Sequence, residues 1–323
     1  MGEPARHAPL YGINLPWLCG AYGHDLAENP AHPGWPVGAT ARDVRVALER
    51  ARGLGFAAVR VWLCERGEGV LQDERGPVGV APRLVAAVST LYEEAARTGL
   101  VVYPCLLDGN AWVRDDDALL ERAAHDPDCR MRFSEYVAAP LARAMDPART
   151  LALEPMNEPE QMTTEGAGAR GVPWATMAHL FSAVRDAARA EHPGLRISAS
   201  AQHGILPALA RAMPFVDLLD LHRYCDDGSL PPLSDLGVPP GRTLIAGECG
   251  TATEPADVDA EDTISNYVWN AARWGYQACF LWKLEGRHGL VAEDGRAGAR
   301  ATRVRVAMDE VRRRLGAGRP LDG

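Results

Sequence analysis

Long apolar runs, a signal region and an excess of positive charge are all missing from this 323-residue chain. No stretch reaches the eighteen or so uninterrupted apolar residues of a membrane span, so we expect no membrane partner. Residues 1–7 contain no apolar signal region, which predicts a cytoplasmic protein. The net charge is −9, and an acidic surface disfavours binding to nucleic acid.

Paired cysteines are missing too. The seven cysteines are an odd number without a Cys-x-x-Cys spacing, so we expect reduced thiols in the core. Four of them fall near predicted strand ends, where a thiolate metal site is the alternative: Cys64, Cys105, Cys225 and Cys249. No His-x-His cluster follows a strand, so the sequence predicts neither a metal nor another cofactor.

The chain does contain a repeated alternation of apolar strands and amphipathic helices. Strands are predicted at residues 10–16, 56–63, 100–107, 151–158, 195–201, 216–224, 243–248 and 276–284. Helices are predicted at about 40–54, 82–98, 127–138, 173–191, 205–212, 260–274 and 301–315, and the segment after the sixth strand is interrupted by prolines. Thr40 and Asp43 resemble a capping box at the first helix.

Eight strand–helix units with no linker predict a single-domain α/β fold, a (β/α)8 barrel over residues 10–315. Residues 1–9 and 316–323 are expected to be flexible ends. The alternative is a doubly wound sheet, but no Gly-x-Gly-x-x-Gly follows an early strand.

The carboxyl ends of the strands form the catalytic face of such a barrel, so polar residues there are candidate site residues. The fourth strand stops at Pro159, which leaves Glu158 at its tip, and the seventh strand ends in Glu248. Side chains alternate between the faces of a strand. Alternation therefore predicts that Glu158 shares a face with Met156 and Glu154, and that Glu248 shares one with Ala246 and Leu244.

The second, sixth and eighth strands present further polar and aromatic side chains on single faces: Arg60 with Trp62, Asp220 with His222 and Tyr224, and Phe280 with Trp282. Inward-pointing faces would gather all of these groups at one mouth. Two carboxylates on facing strands are what glycoside hydrolysis requires, because one protonates the leaving oxygen while the other attacks the sugar or activates water.

In these residues the sequence resembles the clan A retaining β-glycosidases, (β/α)8 barrels that include the cellulase and mannanase family 5. The matching segments occur in strand order: Val59–Trp62, Asn157–Pro159, His222–Tyr224, Ile245–Gly250 and Phe280–Trp282. The resemblance implies that Glu158 is the general acid/base and that Glu248 is the nucleophile that forms a glycosyl-enzyme.

The resemblance also implies roles for the neighbours of the two carboxylates. Asn157 would bond the sugar 2-hydroxyl, Tyr224 would donate to the nucleophile, and Arg60 would keep the nucleophile ionised. His222 would lie near the acid/base or the sugar, and Trp282 would present its face to the sugar. The acid would need a raised pKa. Structural interpretations remain open, such as an Arg60 ion pair with Glu154 or Asp220, or a histidine that only completes the barrel.

Two strands depart from the family pattern. Many members carry a substrate-binding histidine at the third strand, and here Asp108 or Asn110 is expected in its place. The eighth strand continues into Lys283 and Glu285, which leaves the sugar specificity open.

Further tryptophans lie near the predicted mouth. Trp17, Trp62 and Trp112 are candidate stacking platforms at or beyond strand ends. Trp269 and Trp274 fall on a helix and are expected in the core. The glycine-rich residues 165–171 are expected to form a mobile loop beside Glu158.

The sequence therefore predicts an intracellular retaining β-glycosidase for a small carbohydrate, such as a β-mannoside or a β-glucoside. The alternatives are a transglycosylase or metabolite-tailoring enzyme that reuses the carboxylates, and a carbohydrate-binding barrel without catalysis. Carboxyl groups about 5 to 5.5 Å apart would indicate retention, and about 6.5 to 9.5 Å inversion. The oligomeric state is left open.

Overall fold

The computed structural model describes residues 7–18, 25–29, 39–111, 118–163, 171–252, 259–285, 289–291 and 297–321. Its strands are β1 Leu10–Asn14, β2 Ala58–Trp62, β3 Val70–Asp73, β4 Gly76–Val80, β5 Val101–Asp108, β6 Glu154–Asn157, β7 Ser198–Gln202, β8 Leu218–Tyr224, β9 Thr243–Gly250 and β10 Ala278–Leu281. All of them except the antiparallel hairpin β3–β4 belong to one parallel sheet, in the order β6-β5-β2-β1-β10-β9-β8-β7.

The sheet closes into a barrel at the seam between its two end strands, β6 and β7. Leu153 and Ile197 form a parallel bridge there. The N–H of Leu153 donates to Arg196 at 2.8 Å, and the N–H of Ser198 donates to Leu153 at 3.0 Å. The predicted (β/α)8 barrel is confirmed.

Helices surround the strands. The α-helices are Ala41–Gly53, Pro82–Thr98, Ala118–His125, Pro127–Phe133, Ala139–Ala144, Trp174–Glu191, Leu206–Ala212, Asp259–Trp274 and Ala299–Gly316, with a π-helical turn at Ser134–Ala138. The predicted capping box of Thr40 and Asp43 is present. None of the helices in the described part of the chain has both the length and the apolarity needed to cross a bilayer.

Local predictions differ from the structure in three places. The hairpin β3–β4 and the helix Ala118–His125 were not predicted from the sequence. The helix predicted at 127–138 continues past Pro140 to Ala144, through a π-helical turn at Ser134–Ala138 that locally changes its hydrogen-bonding pattern.

The hydrophobic core has two layers. The larger layer lies between strands and helices, and Trp269 and Trp274 pack against it as predicted. A smaller layer fills the barrel below its mouth: Ala58, Tyr103, Ala152, Leu218, Ile245, Ala278 and Phe280. The barrel is therefore a packed core, as is usual for this fold, and its polar side chains collect above that plug. The proposed flexible ends at 1–9 and 316–323 stay predictions.

Candidate active site

Arg60 lies fully buried at the centre of the mouth. Its Nη1 donates to Glu248 Oε1 at 2.5 Å and to Asn14 Oδ1 at 3.1 Å. Its Nε and Nη2 donate to Glu154 Oε2 at 3.0 and 2.7 Å, and Nη2 also donates to Asn157 Oδ1 at 2.7 Å. Desolvation lowers the pKa of Arg60, but Glu154 and Glu248 outweigh it and hold that pKa well above its ordinary value. The ion pair with Glu154 and the pairing with Glu248 thus coexist.

Glu248 is buried and receives a donor on each carboxylate oxygen. Arg60 occupies Oε1, and the hydroxyl of Tyr224 donates to Oε2 at 2.6 Å. Burial and the charge of Glu248 raise the pKa of Tyr224 well above its ordinary value, so its hydroxyl remains a donor. The carboxylate is held in place and its negative charge is stabilised from two sides.

A bulge in β9 brings Glu248 to this position. Between two paired positions, β9 has one residue more than its neighbours β8 and β10. Ile245 faces the barrel interior, whereas Leu244 and Ala246 pack in the outer layer. The predicted grouping of Glu248 with Ala246 and Leu244 is therefore wrong, because the bulge shifts the alternation by one residue.

Asp220, on the neighbouring strand β8, holds the bulge of β9 in place. It accepts the N–H of Gly247 at 2.5 Å and the hydroxyl of Tyr103 at 2.7 Å. A Cβ on Gly247 would lie 2.0 Å from an oxygen of Asp220, so the close approach requires glycine. His222 Nε2 lies 3.7 Å from the same carboxylate.

Glu158 follows β6 in a left-handed backbone conformation, with φ 42° and ψ 57°. Because the chain turns there, Asn157 and Glu158 both reach the mouth, whereas Met156 packs in the outer layer. The predicted face shared by Glu158 and Met156 is wrong for this reason. The Glu158 N–H donates to Ser200 Oγ at 2.9 Å, and a Cβ on Gly109 would lie 2.4 Å from the Glu158 carbonyl oxygen. Such strained residues concentrate at functional sites.

The Glu158 carboxylate has polar partners of its own. His222 Nδ1 lies 3.0 Å from Oε1, and Asn110 Nδ2 donates to Oε2 at 2.9 Å. Burial raises the pKa of Glu158, but the hydrogen bond and charge of His222, with Asn110 and Arg60, lower it below its usual range. The expectation of a raised pKa for the acid is wrong for this arrangement.

His222 links the two carboxylates. Its Nδ1 is also 3.7 Å from Glu248 Oε2, and one oxygen of Glu158 lies within 4.8 Å of one oxygen of Glu248. Desolvation lowers the pKa of His222, but Glu248, Asp220 and Glu158 together hold it well above the ordinary value. The ring therefore holds its proton more strongly than a free imidazole does, and Nδ1 is placed to supply that proton to Glu158.

Two sets of side chains have the spacing of metal ligands: Glu154 with Asp220 and His222, and Glu158 with His222 and Glu248. His222 belongs to both sets, and its pKa is raised above the ordinary value. Arg60 also donates to one carboxylate of each set. Arg60 therefore supplies positive charge to both sets.

The alternative of a thiolate metal site is wrong in the described part of the chain. Neither ligand set contains a cysteine. Cys64, Cys105 and Cys249 are buried free thiols, and Cys225 is a partly buried one near Tyr267. These thiols fill space as predicted.

Asn157 and Asp108 form a second polar contact beneath the mouth. Asn157 Nδ2 donates to Asp108 Oδ1 at 2.8 Å while its oxygen accepts from Arg60. Burial raises the pKa of Asp108. At the third barrel strand, β5, where the sequence departs from the family pattern, Asn110 contacts Glu158 and Asp108 orients Asn157.

A cavity of about 390 Å³ opens above these groups. The predicted site residues that line it are Trp17, Trp62, Asp108, Asn110, Asn157, Glu158, Tyr224, Glu248 and Trp282. Arg60 and His222 lie behind this surface, and Trp112 is outside the described residues. The predicted loop at 165–171 is likewise outside them, except for Gly171.

One wall of the cavity is aromatic. The Trp17 ring lies 5.9 Å from that of Trp62 and 6.4 Å from that of Trp282, centroid to centroid. Trp17 Nε1 donates to Glu65 Oε1 at 3.0 Å, and Lys283 Nζ lies over the Trp17 ring. An aromatic wall facing carboxylates suits a sugar, which has an apolar C–H face and a polar hydroxyl edge.

Three residues of the site are not predicted from the sequence. Gln202 and Thr251 line the cavity, and Glu160 is buried behind Gln202, whose N–H it accepts at 2.7 Å. Burial and the charge of Glu158 raise the pKa of Glu160 to about 8. Gln202 has a sequence signal, because it is the polar residue that ends the fifth barrel strand. Glu285, which follows the eighth barrel strand, pairs with Arg50 instead, with Arg50 Nη1 2.5 Å from Glu285 Oε1.

Comparisons with known proteins identify the fold through solved structures. No protein-family model and no curated protein sequence matches the chain. A β-1,4-mannanase from the sea hare Aplysia kurodai matches with TM-score 0.71 and 17% identity, over 95% of this chain and 93% of that one. The chain has the barrel fold of this enzyme.

Two further solved structures share the barrel. A β-mannanase from the blue mussel Mytilus edulis has TM-score 0.72 and 16% identity, over 98% of this chain and 95% of that chain. The protein GH5_18 from Streptomyces cattleya, in complex with GlcNAc, has TM-score 0.71 and 18% identity, over 98% and 82%. The fold-level resemblance to family 5 barrels is thus confirmed.

Proposed function

We propose that this protein is a retaining β-glycosidase that hydrolyses a small β-linked glycoside through a covalent glycosyl-enzyme. The observation that carries the proposal is the approach of Glu158 and Glu248 at the barrel mouth, with oxygens within 4.8 Å. Retaining enzymes hold the two carboxyl groups about 5 to 5.5 Å apart, whereas inverting enzymes leave about 6.5 to 9.5 Å for a water molecule. An approach of two carboxylate oxygens to within 4.8 Å is compatible with the closer, retaining spacing and supports retention.

In the first step Glu248 attacks the anomeric carbon while Glu158 protonates the leaving oxygen. Arg60 and Tyr224 donate to its two oxygens and hold the carboxylate in position. Glu158 needs a proton, and the nearest one is on His222 Nδ1, 3.0 Å away. A bound sugar that excludes water favours the neutral pair of imidazole and carboxylic acid over two buried charges, so the proton moves to Glu158.

In the second step a water molecule gives a proton to Glu158 and attacks the anomeric carbon, and the bond to Glu248 breaks. Asn157 is held between Asp108 and Arg60, where its amide would bond the sugar 2-hydroxyl. Trp282 would stack on the ring in the cavity. The product keeps the β configuration because both steps invert the anomeric carbon.

We further propose a β-mannoside or a β-glucoside as the substrate. Similar barrels include mannanases, and a variant of the Streptomyces cattleya protein was solved in complex with Manb1-4GlcNAc. A cytoplasmic location stays a prediction of the sequence.

A panel of 4-nitrophenyl β-glycosides tests the proposal with wild type, Glu248→Ala and Glu158→Ala. We expect cleavage of at least one sugar by wild type and loss of turnover in Glu248→Ala. We expect azide to rescue Glu158→Ala, because azide attacks the glycosyl-enzyme without base assistance. If a folded wild type cleaves no sugar in the panel, the hydrolase proposal fails, and a carbohydrate-binding or tailoring role gains support.

A further inference from the structure

The chain contains a single lysine, Lys283, among 34 basic residues. It directly follows Trp282, the tryptophan that lines the cavity at the end of β10. The chemistry proposed for the two carboxylates does not use this lysine.

The ammonium group of Lys283 lies against the aromatic wall. Its Nζ is 4.4 Å from the centroid of Trp17 and 5.6 Å from that of Trp282. Trp17 is held on its edge by Glu65, so the ring that carries the cation has a defined position. A positive charge therefore lies within a few ångströms of two rings that line the cavity.

This charge differs from the other cations of the mouth in its surroundings. Arg60 meets two carboxylates, and His222 lies between Glu158 and Glu248. Within the described ranges, no carboxylate lies within 4.0 Å of Lys283 Nζ. Glu285, two residues on, is engaged by Arg50 instead.

The partial burial of Lys283 makes an unneutralised charge unfavourable. Burial lowers the pKa of the ammonium group, and among the residues that the structure describes no negative group opposes that shift. A charge that has lost part of its hydration gains more from an added anion than a fully exposed one does.

We propose that Lys283 forms an anion-binding position beside the aromatic wall, so that the glycoside bound here carries a carboxylate or phosphate group near Trp17 and Trp282. The inference deepens the proposed glycosidase function and rests on it for the substrate class. A lysine suits this purpose because its ammonium is a compact point charge with three donors, able to meet either anion. The contrasting interpretation is that the ammonium only packs on the two rings.

Matched glycosides test the proposal by binding, apart from turnover. The probes are the 4-nitrophenyl β-D-glucoside, the corresponding glucosiduronate and the glucoside 6-phosphate, with the same three forms of the mannoside. Calorimetric titration uses Glu248→Gln, alone and combined with Lys283→Met or Lys283→Arg. We expect an anionic form to bind at least tenfold more tightly than its neutral partner, to lose that advantage with methionine, and to recover part of it with arginine.

The controls separate this inference from the proposed reaction. Neutral glycosides should bind Lys283→Met and its parent alike, which also shows that the variant is folded. If anionic forms bind no better than neutral ones, or if methionine weakens both equally, the inference is overturned. If anionic binding depends on Lys283 but wild type cleaves none of the probes, the anion position stands and the glycosidase proposal falls. The carboxylate and phosphate forms identify which anion is preferred.

The single lysine allows a second readout that requires no substitution. Reductive methylation with ¹³C-formaldehyde labels Lys283 and the chain terminus and leaves the lysine charged. We expect the Lys283 methyl signal to shift when the preferred anionic glycoside is added and to stay in place with the neutral one. Equal shifts with both would contradict the proposal.

Discussion

The two halves of the mouth hold their carboxylates by different means. Glu248 is bound by a guanidinium that stays charged and by a phenol that stays neutral, Arg60 and Tyr224. Glu158 is bound by a titratable imidazole and an amide, His222 and Asn110, on a strained backbone. The donors to Glu248 therefore keep their protons, while the imidazole beside Glu158 can lose and regain one, which is the division that double displacement needs.

Substitution of the two carboxylates should have the largest effect on activity and should show how their roles differ. We expect Glu248→Ala to lower kcat/KM by roughly 10⁴-fold or more for every leaving group, because the bond-forming group is lost. We expect Glu158→Ala to cost about 10²- to 10⁴-fold with alkyl glycosides but far less with dinitrophenyl glycosides, which need no proton. Steady-state rates across leaving groups measure both. Equal sensitivity of the two variants to the leaving group would contradict the assigned roles.

Arg60 is the cation that pairs with Glu248 and with Glu154. We expect Arg60→Met to destabilise the fold by about 3 to 5 kcal/mol, because two buried carboxylates lose their cation. Urea unfolding followed by circular dichroism measures the change. The matched control is Arg303→Met, which breaks an exposed ion pair with Asp262 and should leave the midpoint nearly unchanged. A small effect for Arg60 as well would show that the buried network is dispensable.

Loss of one hydrogen-bond donor should affect the two carboxylates differently. Tyr224→Phe removes a hydrogen bond to a charged group, so we expect kcat/KM to fall about 10- to 100-fold at all pH values. Asn110→Ala removes a donor that lowers the pKa of Glu158, so that pKa rises. The alkaline limb of the pH profile reports loss of the proton that His222 and Glu158 share, so a more basic Glu158 should move this limb to higher pH. A shift toward lower pH would contradict the role of Asn110.

The last prediction concerns stability rather than activity and involves Glu160, whose folded pKa is about 8. An unfolded carboxyl loses its proton near pH 4.5, so the folded state binds more protons between pH 4.5 and 8. The contribution of Glu160 to stability is therefore present below this window and is lost as the pH rises through it, by up to roughly 1.4 kcal/mol per pH unit. Glu160→Gln should remove this loss.

Urea unfolding of both proteins at pH 5, 6, 7 and 8 measures that difference. Wild type should lose stability relative to Glu160→Gln as the pH rises. Parallel curves would show that Glu160 titrates normally.

The barrel and most of the site were predictable from local pattern. Strand ends can be read from apolar runs that stop at a proline or a polar residue, which is how Glu158 and Glu248 were found. The bulge at Gly247 could not be predicted, because it depends on Asp220 of a neighbouring strand. The lowered pKa of Glu158 could not be predicted either, since it depends on how His222 is placed across the barrel. Contacts between distant segments leave no periodic signal in either segment.

The central claim is that Glu248 forms a covalent bond to the sugar while Glu158 serves as acid and base. A 2-deoxy-2-fluoro β-glycoside with a dinitrophenolate leaving group, made from the sugar that wild type cleaves best, slows the second step and allows the intermediate to accumulate. Mass spectrometry of the treated protein and its peptic peptides should show one added fluoroglycosyl group, on the peptide that contains Glu248. An adduct on another residue, or active turnover with no adduct and an inverted product, would contradict the account.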